Sequence, residues 1–281
     1  MFQRVGVVGC GLMGSGIAQV CGQAELDVVV VEANPRVAEA GRARLEASLA
    51  KAEERGKVAS ADAVLDRIDV TADIHRLHDR DIVIEAIAEV PAAKTELFKR
   101  LDGIVEAKDA ILASNTSSIP ISTIAAATTR PEFVLGVHFF NPVPVLSLVE
   151  LVPSLLTAPE TVERARAFAS EQLGKHPITA LDRAGFVVNA LLVPFILAAI
   201  RMFESGVATA EDIDEGLVRG AAHPQGPLAL ADLIGLDTMV SVAESLYEEF
   251  KEPTYAPPPL LRRMVEAGLL GRKSGRGFYR Y

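Results

Sequence analysis

The sequence predicts an α/β chain in which a mostly parallel sheet, covered by helices on both faces, is followed by an all-helical C-terminal domain. Three observations lead there. Short runs of Val, Ile and Leu alternate with helical stretches as far as about residue 180. A glycine-rich turn joins the first run to the first helix, and from Phe186 onward the periodicity is helical only.

Taken in order, Arg4-Val5-Gly6-Val7-Val8 reads as a short buried strand, and residues 9–16 as a turn opening a helix that runs to about residue 24. Asp27 to Val31 reads as a second strand ending at Glu32, which completes one βαβ unit. Residues 36–54 form a charged helix with apolar positions at Val37, Leu45 and Leu49. A further helix over 61–68 then leads to the strand Asp81-Ile82-Val83-Ile84. Pro91 suits the first turn of a helix through Val105. A strand over 110–113, a short helix over 122–127 and a strand over 133–138 follow, and Glu150 falls in another extended run beyond Pro144. After the alternation stops come an apolar helix over 186–202, a cap at Thr209-Ala210-Glu211-Asp212 and a helix over 236–250. Pro257-Pro258-Pro259 is a breaker, followed by a last helix to about residue 267. The expected domains are 1–183 and 184–281.

Composition narrows the function classes. With 49% hydrophobic and 23% charged residues the chain has the makings of a sizeable core and is neither disordered nor fibrous. A net charge of −9 without a block of basic residues argues against a nucleic-acid partner. The two cysteines, Cys10 and Cys21, lack the spacing of a metal cluster or a disulfide framework, so no metal is expected. The apolar stretch 186–202 is interrupted by Asn189, Pro194 and Arg201 and is too short for a bilayer span, so no membrane partner is expected. Only Val5 to Val8 precede Cys10 as an apolar run, which is no secretory h-region and leaves a cytoplasmic location as the expectation.

The motif Gly9-x-Gly11-x-x-Gly14 is weak alone, but here it follows a strand, opens a helix and has an acid, Glu32, at the end of the next strand. That context makes the first domain Rossmann-type. Gly9 permits the tight turn, Gly11 lets backbone N–H groups approach a pyrophosphate, and Gly14 lets the helix pack close. The helix N-terminus offers partial positive charge to the diphosphate. Glu32 is placed to bind ribose hydroxyls and to repel a 2′-phosphate, which favours NAD, while the nearby Arg36 keeps NADP open. The fingerprint alone does not separate nicotinamide from flavin.

Downstream, Ser114-Asn115-Thr116-Ser117-Ser118 follows a predicted strand, at the sheet edge where α/β folds meet their ligands. Such a loop is also an ordinary turn composition. His138 ends the next strand, and Glu150 lies twelve positions on, after the break at Pro144. A chain that doubles back there brings carboxylate to imidazole, fixing one ring nitrogen and leaving the other as a base. The bland reading is a satisfied core histidine. Ser48, Lys51 and Arg55 recur at helical spacing on one face, a phosphate grip or a solvated surface beside Glu53 and Glu54.

These residues resemble the L-3-hydroxyacyl-CoA dehydrogenases, including the short-chain 3-hydroxybutyryl-CoA enzymes. The matching segments are Gly9-Cys10-Gly11-Leu12-Met13-Gly14, Glu85-Ala86-Ile87-Ala88-Glu89, Ser114 to Ser118, His138-Phe139-Phe140-Asn141-Pro142, Gly185-Phe186-Val187-Val188-Asn189 and Gly275-Arg276-Gly277-Phe278-Tyr279. The resemblance implies a catalytic pair His138 and Glu150, with Ser117 and Asn189 at the substrate oxygen or thioester. It implies cofactor contacts from Leu12 and Met13 in the glycine turn and from Glu89, Lys94 and Asn115. It places Ser48 and Arg55 on coenzyme A, with Lys51 beside them and Asn141 on the substrate side. The implied activity is reversible NAD-dependent oxidation of a (3S)-3-hydroxyacyl-CoA, with the helical domain serving dimerisation and the chain a homodimer. Two other readings remain at this stage: a sugar-acid dehydrogenase of the same superfamily, and a non-catalytic dinucleotide-binding protein.

Overall fold

Strands rich in Val and Ile build the centre of an eight-stranded sheet in a computed structural model that describes residues 1–281. The chain divides into two compact units, Met1–Asp182 and Arg183–Tyr281.

In the first unit the elements run β1 (Arg4–Val8), α1 (Leu12–Gln23), β2 (Asp27–Val31), α2 (Pro35–Glu54), α3 (Ala61–Leu65), β3 (Ile68–Thr71), β4 (Ile82–Glu85) and α4 (Pro91–Ile104). They continue through β5 (Ile111–Ser114), α5 (Ile121–Ala125), β6 (Val134–Phe139), β7 (Leu148–Pro153), α6 (Pro159–Ala167) and β8 (His176–Thr179). The strand order is β3-β2-β1-β4-β5-β6-β7-β8. From β3 across to β6 every neighbour is parallel, β7 runs antiparallel to β6, and β8 is parallel to β7. Strands β4, β5 and β6 are buried along their whole length, as expected of parallel strands covered on both faces. Their side chains join Val5, Val7, Ile17 and Val28 in one continuous core.

Local chemistry sets the helix ends. Asn34 accepts the Val37 N–H at the start of α2, where Pro35 takes a first-turn position that needs no donor. Ser60 caps α3 in the same way. The two carboxylate oxygens of Asp182 accept the N–H groups of Ile121 and Ser122, holding the first turn of α5.

The second unit comprises α7 (Val188–Glu204), α8 (Ala210–Ala221), α9 (Pro227–Ile234), α10 (Leu236–Phe250) and α11 (Pro259–Glu266). Its core forms around Ile196, Leu197, Ile200, Leu228, Leu246 and Leu261. Thr209 caps α8, its hydroxyl accepting the Asp212 N–H, where the sequence places a cap. Two buried aspartates pin the chain end. Asp232 accepts the N–H groups of Phe278 and Tyr279, and Asp214 accepts the Tyr279 hydroxyl and the N–H groups of Leu228 and Ala229. No helix is long and apolar enough to cross a membrane.

Three local expectations are corrected. The helix expected over 61–68 stops at Leu65, and Ile68 instead opens β3, which lies parallel along β2. Alternating Ile68-Asp69-Val70-Thr71 is a half-buried edge pattern, and the neighbouring strand decided between it and a helix end. The apolar helix begins at Val188 rather than Phe186, because Gly185 (φ 75°) and Phe186 (φ 48°) hold left-handed backbone that no helix can continue. Helix α6 and strand β8 were not expected. Strand β8 is short and only partly buried, so its sequence carries little hydrophobic signal.

Crowding at the glycine turn gives a test. A Cβ at position 14 would lie 1.8 Å from the Gly9 carbonyl oxygen, whereas one at position 11 would meet nothing within 4 Å. Gly14→Ala should therefore lower unfolding stability in urea by roughly 1–3 kcal/mol. Gly11→Ala should leave stability unchanged in the same assay, because the added methyl meets no neighbour.

Candidate active site

The first part of the site lies where the strand order reverses, between β1 and β4, the crevice in which open α/β sheets hold dinucleotides. Gly9 leaves β1 with φ 94°, and a Cβ there would sit 2.7 Å from the Ala86 carbonyl oxygen at the end of β4. Gly11 caps α1 without any side-chain hydrogen bond, so the first-turn amides are uncovered by a capping group. Leu12 is exposed and Met13 half-buried beside them. Glu32 follows β2, its Oε1 accepting the Cys10 N–H at 2.5 Å and its Oε2 the Ala33 N–H at 3.1 Å. Arg44 of α2 donates to the Cys10 carbonyl, so the turn is tied from both sides. Burial pushes the Cys10 thiol up to about 11, with the Glu32 charge adding to it, and the Cys21 thiol up to about 12. Both are neutral packing groups near pH 7. The space above Gly11 and the anchored acid at the end of β2 fit the diphosphate and ribose of a dinucleotide.

The second part is a buried polar network at the ends of β4 and β5, whose last residues, Glu85 and Ser114, are direct neighbours in the parallel ladder. Glu85 is 0% exposed and accepts from Lys94 Nζ (2.7 Å), Ser114 Oγ (2.6 Å) and the Ile87 N–H (2.7 Å). Lys94 Nζ also pairs with Glu89 Oε2 at 2.9 Å. Glu89 in turn accepts from the Thr116 hydroxyl, the Ser117 N–H (3.1 Å) and the Ser118 hydroxyl (3.1 Å). One carboxylate thus gathers the hydroxyl-rich loop after β5 onto the loop after β4. Asn115 Oδ1 accepts the Phe139 N–H at 2.8 Å and extends the tie to β6. Lys94, which the family resemblance places among the cofactor contacts, is only 1% exposed and held between two glutamates.

The third part follows from the reversal at β7. In the β6–β7 register His138 stands directly opposite Glu150, and His138 Nδ1 lies 2.7 Å from Glu150 Oε2. Both side chains are buried, and the Phe140 ring packs on the imidazole with centroids 4.6 Å apart. The pairing is antiparallel, so directly opposite residues share one face of the sheet and their side chains meet. A carboxylate on Nδ1 fixes the imidazole tautomer and orientation.

The fourth part is an open cleft of about 470 Å³ lined by Gln19, Ser48, Lys51, Arg55 and Lys57 on one side and by Pro142, Pro144 and Val145 on the other. The fold thereby brings the predicted face Ser48, Lys51 and Arg55 against the connection between β6 and β7. Ser48 donates its hydroxyl to the buried Gln19 Oε1 at 2.6 Å. Asn141 is exposed at the base of that connection and is joined to Pro142 by a cis peptide bond. Asn189 lies in the first turn of α7, in the second unit.

With this geometry in hand, comparison with known proteins is decisive. The family model for the 3-hydroxyacyl-CoA dehydrogenase NAD-binding domain matches residues 4–183, and that for the C-terminal domain matches residues 185–281. The chain belongs to the 3-hydroxyacyl-CoA dehydrogenase family. It is 56% identical to a 3-hydroxybutyryl-CoA dehydrogenase of Mycobacterium tuberculosis, over 99% of this chain and 98% of that one. A probable 3-hydroxybutyryl-CoA dehydrogenase of Bacillus subtilis is 49% identical, over 99% of this chain and 97% of the relative. The crystal structure of the (S)-3-hydroxybutyryl-CoA dehydrogenase of Ralstonia eutropha superposes with a TM-score of 0.93 at 47% identity, covering 100% of this chain and 99% of that one.

As a member of this family the chain is an oxidoreductase acting on CH–OH groups and takes a nicotinamide dinucleotide. Three residues that bond within or beside these groups are not singled out for a role by the sequence. Glu85 was legible in principle, as a charged residue closing an otherwise apolar strand, Ile82-Val83-Ile84. Gln19, buried in α1, and Lys175, which bonds the β6–β7 connection, carry no such local signal.

Glu89 gives a pH test. Burial pushes its pKa up, but the Lys94 charge and the bonds from Thr116, Lys94 and the Ser117 N–H outweigh that and hold the carboxyl below its usual range. A depressed carboxyl stabilises the fold above its unfolded-state pKa, and that contribution is lost as pH falls through the folded-state value. The melting-temperature gap between wild type and Glu89→Gln should be full near neutrality and shrink below about pH 4.5. A gap that stays constant on acidification would show that the latch contributes no linked stability.

Proposed function

We propose that the chain catalyses the reversible NAD-dependent oxidation of a (3S)-3-hydroxyacyl-CoA, with 3-hydroxybutyryl-CoA as the substrate, to the 3-ketoacyl-CoA. The observation that carries this reading is the buried pair of His138 and Glu150, 2.7 Å apart on adjacent strands of a chain from this dehydrogenase family. The (S)-3-hydroxybutyryl-CoA relative from Ralstonia eutropha supports both the substrate and its hand.

In the oxidation direction His138 takes the C3 hydroxyl proton at Nε2. Glu150, hydrogen-bonded to Nδ1, holds the ring and stabilises the imidazolium that forms. When bound, the nicotinamide ring supplies the hydride acceptor for C3, and the donor in reverse. Ser117 and Asn189 are assigned to the substrate oxygen, where a polar donor typically contributes ~10²–10³ in rate. The amides of the Gly9–Gly14 turn, with Leu12 and Met13 beside them, are assigned to the diphosphate and Glu32 to the ribose. The carboxylate of Glu32, fixed by Cys10 and Ala33, disfavours a 2′-phosphate and supports NAD over NADP. Glu89 on the nicotinamide side, Lys94 on the ribose side and Asn115 are assigned to the cofactor, with Lys94 also ion-paired to Glu89 and Asn115 tied to the Phe139 N–H. Ser48, Lys51 and Arg55 are assigned to the phosphates of coenzyme A, with Asn141 flanking the acyl path.

Reduction of acetoacetyl-CoA, followed by NADH and NADPH absorbance side by side, tests the reading. Turnover is expected with NADH. His138→Gln should lower it by ~10²–10⁴ while leaving NADH affinity unchanged. Near-normal turnover in that variant would sink the proton-transfer role.

The helical unit is also assigned to homodimerisation, supported by exposed apolar side chains that include Leu191 (72%) and Val207 (70%). Light scattering at micromolar concentration should give twice the chain mass. A monomer there would overturn the assignment.

A further inference from the structure

The connection between β6 and β7, residues 140–147, has two duties at once. It joins the strand of His138 to that of Glu150, and its Pro142, Pro144 and Val145 form one wall of the cationic cleft. Its own backbone is poorly equipped to hold a shape, because Pro142 and Pro144 lack N–H groups. Inside the segment only the Pro142 carbonyl gathers bonds, from the N–H groups of Val145 and Leu146. Val143 is anchored from below, buried in the core against α1, where a Cβ on Gly16 would come within 2.9 Å of its own.

The remaining hold comes from outside the segment. Lys175, which immediately precedes β8, donates its Nζ to the Val143 carbonyl at 2.6 Å and to the Leu146 carbonyl at 2.8 Å. These two carbonyls bracket Pro144 and Val145, the outermost residues of the wall. The lysine is itself fixed, its N–H donating to the Ala169 carbonyl while the next N–H, from His176, donates to Ser147. Its ammonium is half-buried, and burial pushes it below the usual lysine range. A cation placed this way costs desolvation, which the two charge-assisted bonds to the backbone offset.

We infer that Lys175 is a positioning residue for the acyl-CoA substrate, holding the 140–147 connection in the shape that walls the Ser48, Lys51 and Arg55 cleft. The inference rests on the assignment of that cleft to coenzyme A made above. A lysine that only stapled the fold would affect every substrate alike. One that sets the wall affects the nucleotide-bearing substrate selectively.

The test uses the full-length enzyme and Lys175→Met, with two thioesters, acetoacetyl-CoA and the truncated acetoacetyl-N-acetylcysteamine. The expected result is a rise of about ten-fold in KM for acetoacetyl-CoA, the effect of losing one net charge-assisted bond. KM for the truncated thioester, KM for NADH and kcat should each stay within about two-fold. Lys175→Arg, which keeps the charge and donors, should recover most of the loss. Calorimetric titration with free coenzyme A should show the same ten-fold weakening without any turnover. An unchanged KM and unchanged coenzyme A affinity would overturn the inference, as would equal weakening of both thioesters. If the methionine variant does not fold, Lys175→Gln, with a donor but no charge, should give an intermediate loss of coenzyme A affinity, and wild-type affinity there overturns the inference. A wild-type enzyme that binds coenzyme A yet fails to reduce acetoacetyl-CoA would reject the proposed reaction while the titration still decides the role of Lys175.

Discussion

The constraint on which the site depends is the reversal of strand direction between β6 and β7. Had the chain continued by another parallel crossover, the residue twelve positions after His138 would lie on a covering helix. Because it returns antiparallel, Glu150 occupies the rung opposite His138 and the two side chains meet on one face of the sheet. The short return carries two prolines that offer no N–H, and it is held by neighbours: Val143 in the core and Lys175 on the backbone.

A second constraint acts at the neighbouring strand ends. Parallel strands in register bring Glu85 and Ser114 side by side, and a fully buried glutamate there requires a positive partner and hydrogen-bond donors. Lys94 and Ser114 supply them, and Lys94 then carries the tie on to Glu89 and the loop of Thr116, Ser117 and Ser118. The loop assigned to the cofactor and the loop assigned to the substrate are therefore one bonded object. Lys94, which the family resemblance assigns to the cofactor, is at the same time the ion-pair partner that joins these two glutamates. The arrangement also places the reactive edge on rigid elements, since each of the three strands involved is fully buried.

The glycine turn illustrates how a motif becomes legible. Gly9 and Gly14 are required by sterics alone, each approaching a carbonyl oxygen too closely for a side chain, and Gly11 faces open space. The pattern of strand, turn, helix and acid encodes these demands locally, so it can be read without coordinates. The cap at Thr209 and the buried strand at Ile82-Val83-Ile84 are legible for the same reason. The edge strands β3 and β8 are not, because half-buried alternation over four residues takes its meaning from the strand it lies beside.

The sequence by itself determined the alternation of strands and helices, the change to a helical unit, the dinucleotide turn with its acid, and the identity of the polar side chains that could do chemistry. Each of these is set within a few residues by backbone sterics, periodicity or capping. Only the tertiary structure decided which of those side chains come together: His138 with Glu150 through the antiparallel register, Lys94 with Glu85 and Glu89 in the interior, and Arg55 and Val145 as lining of one cleft. Those encounters are fixed by strand register, sheet order and close packing, which no local pattern specifies.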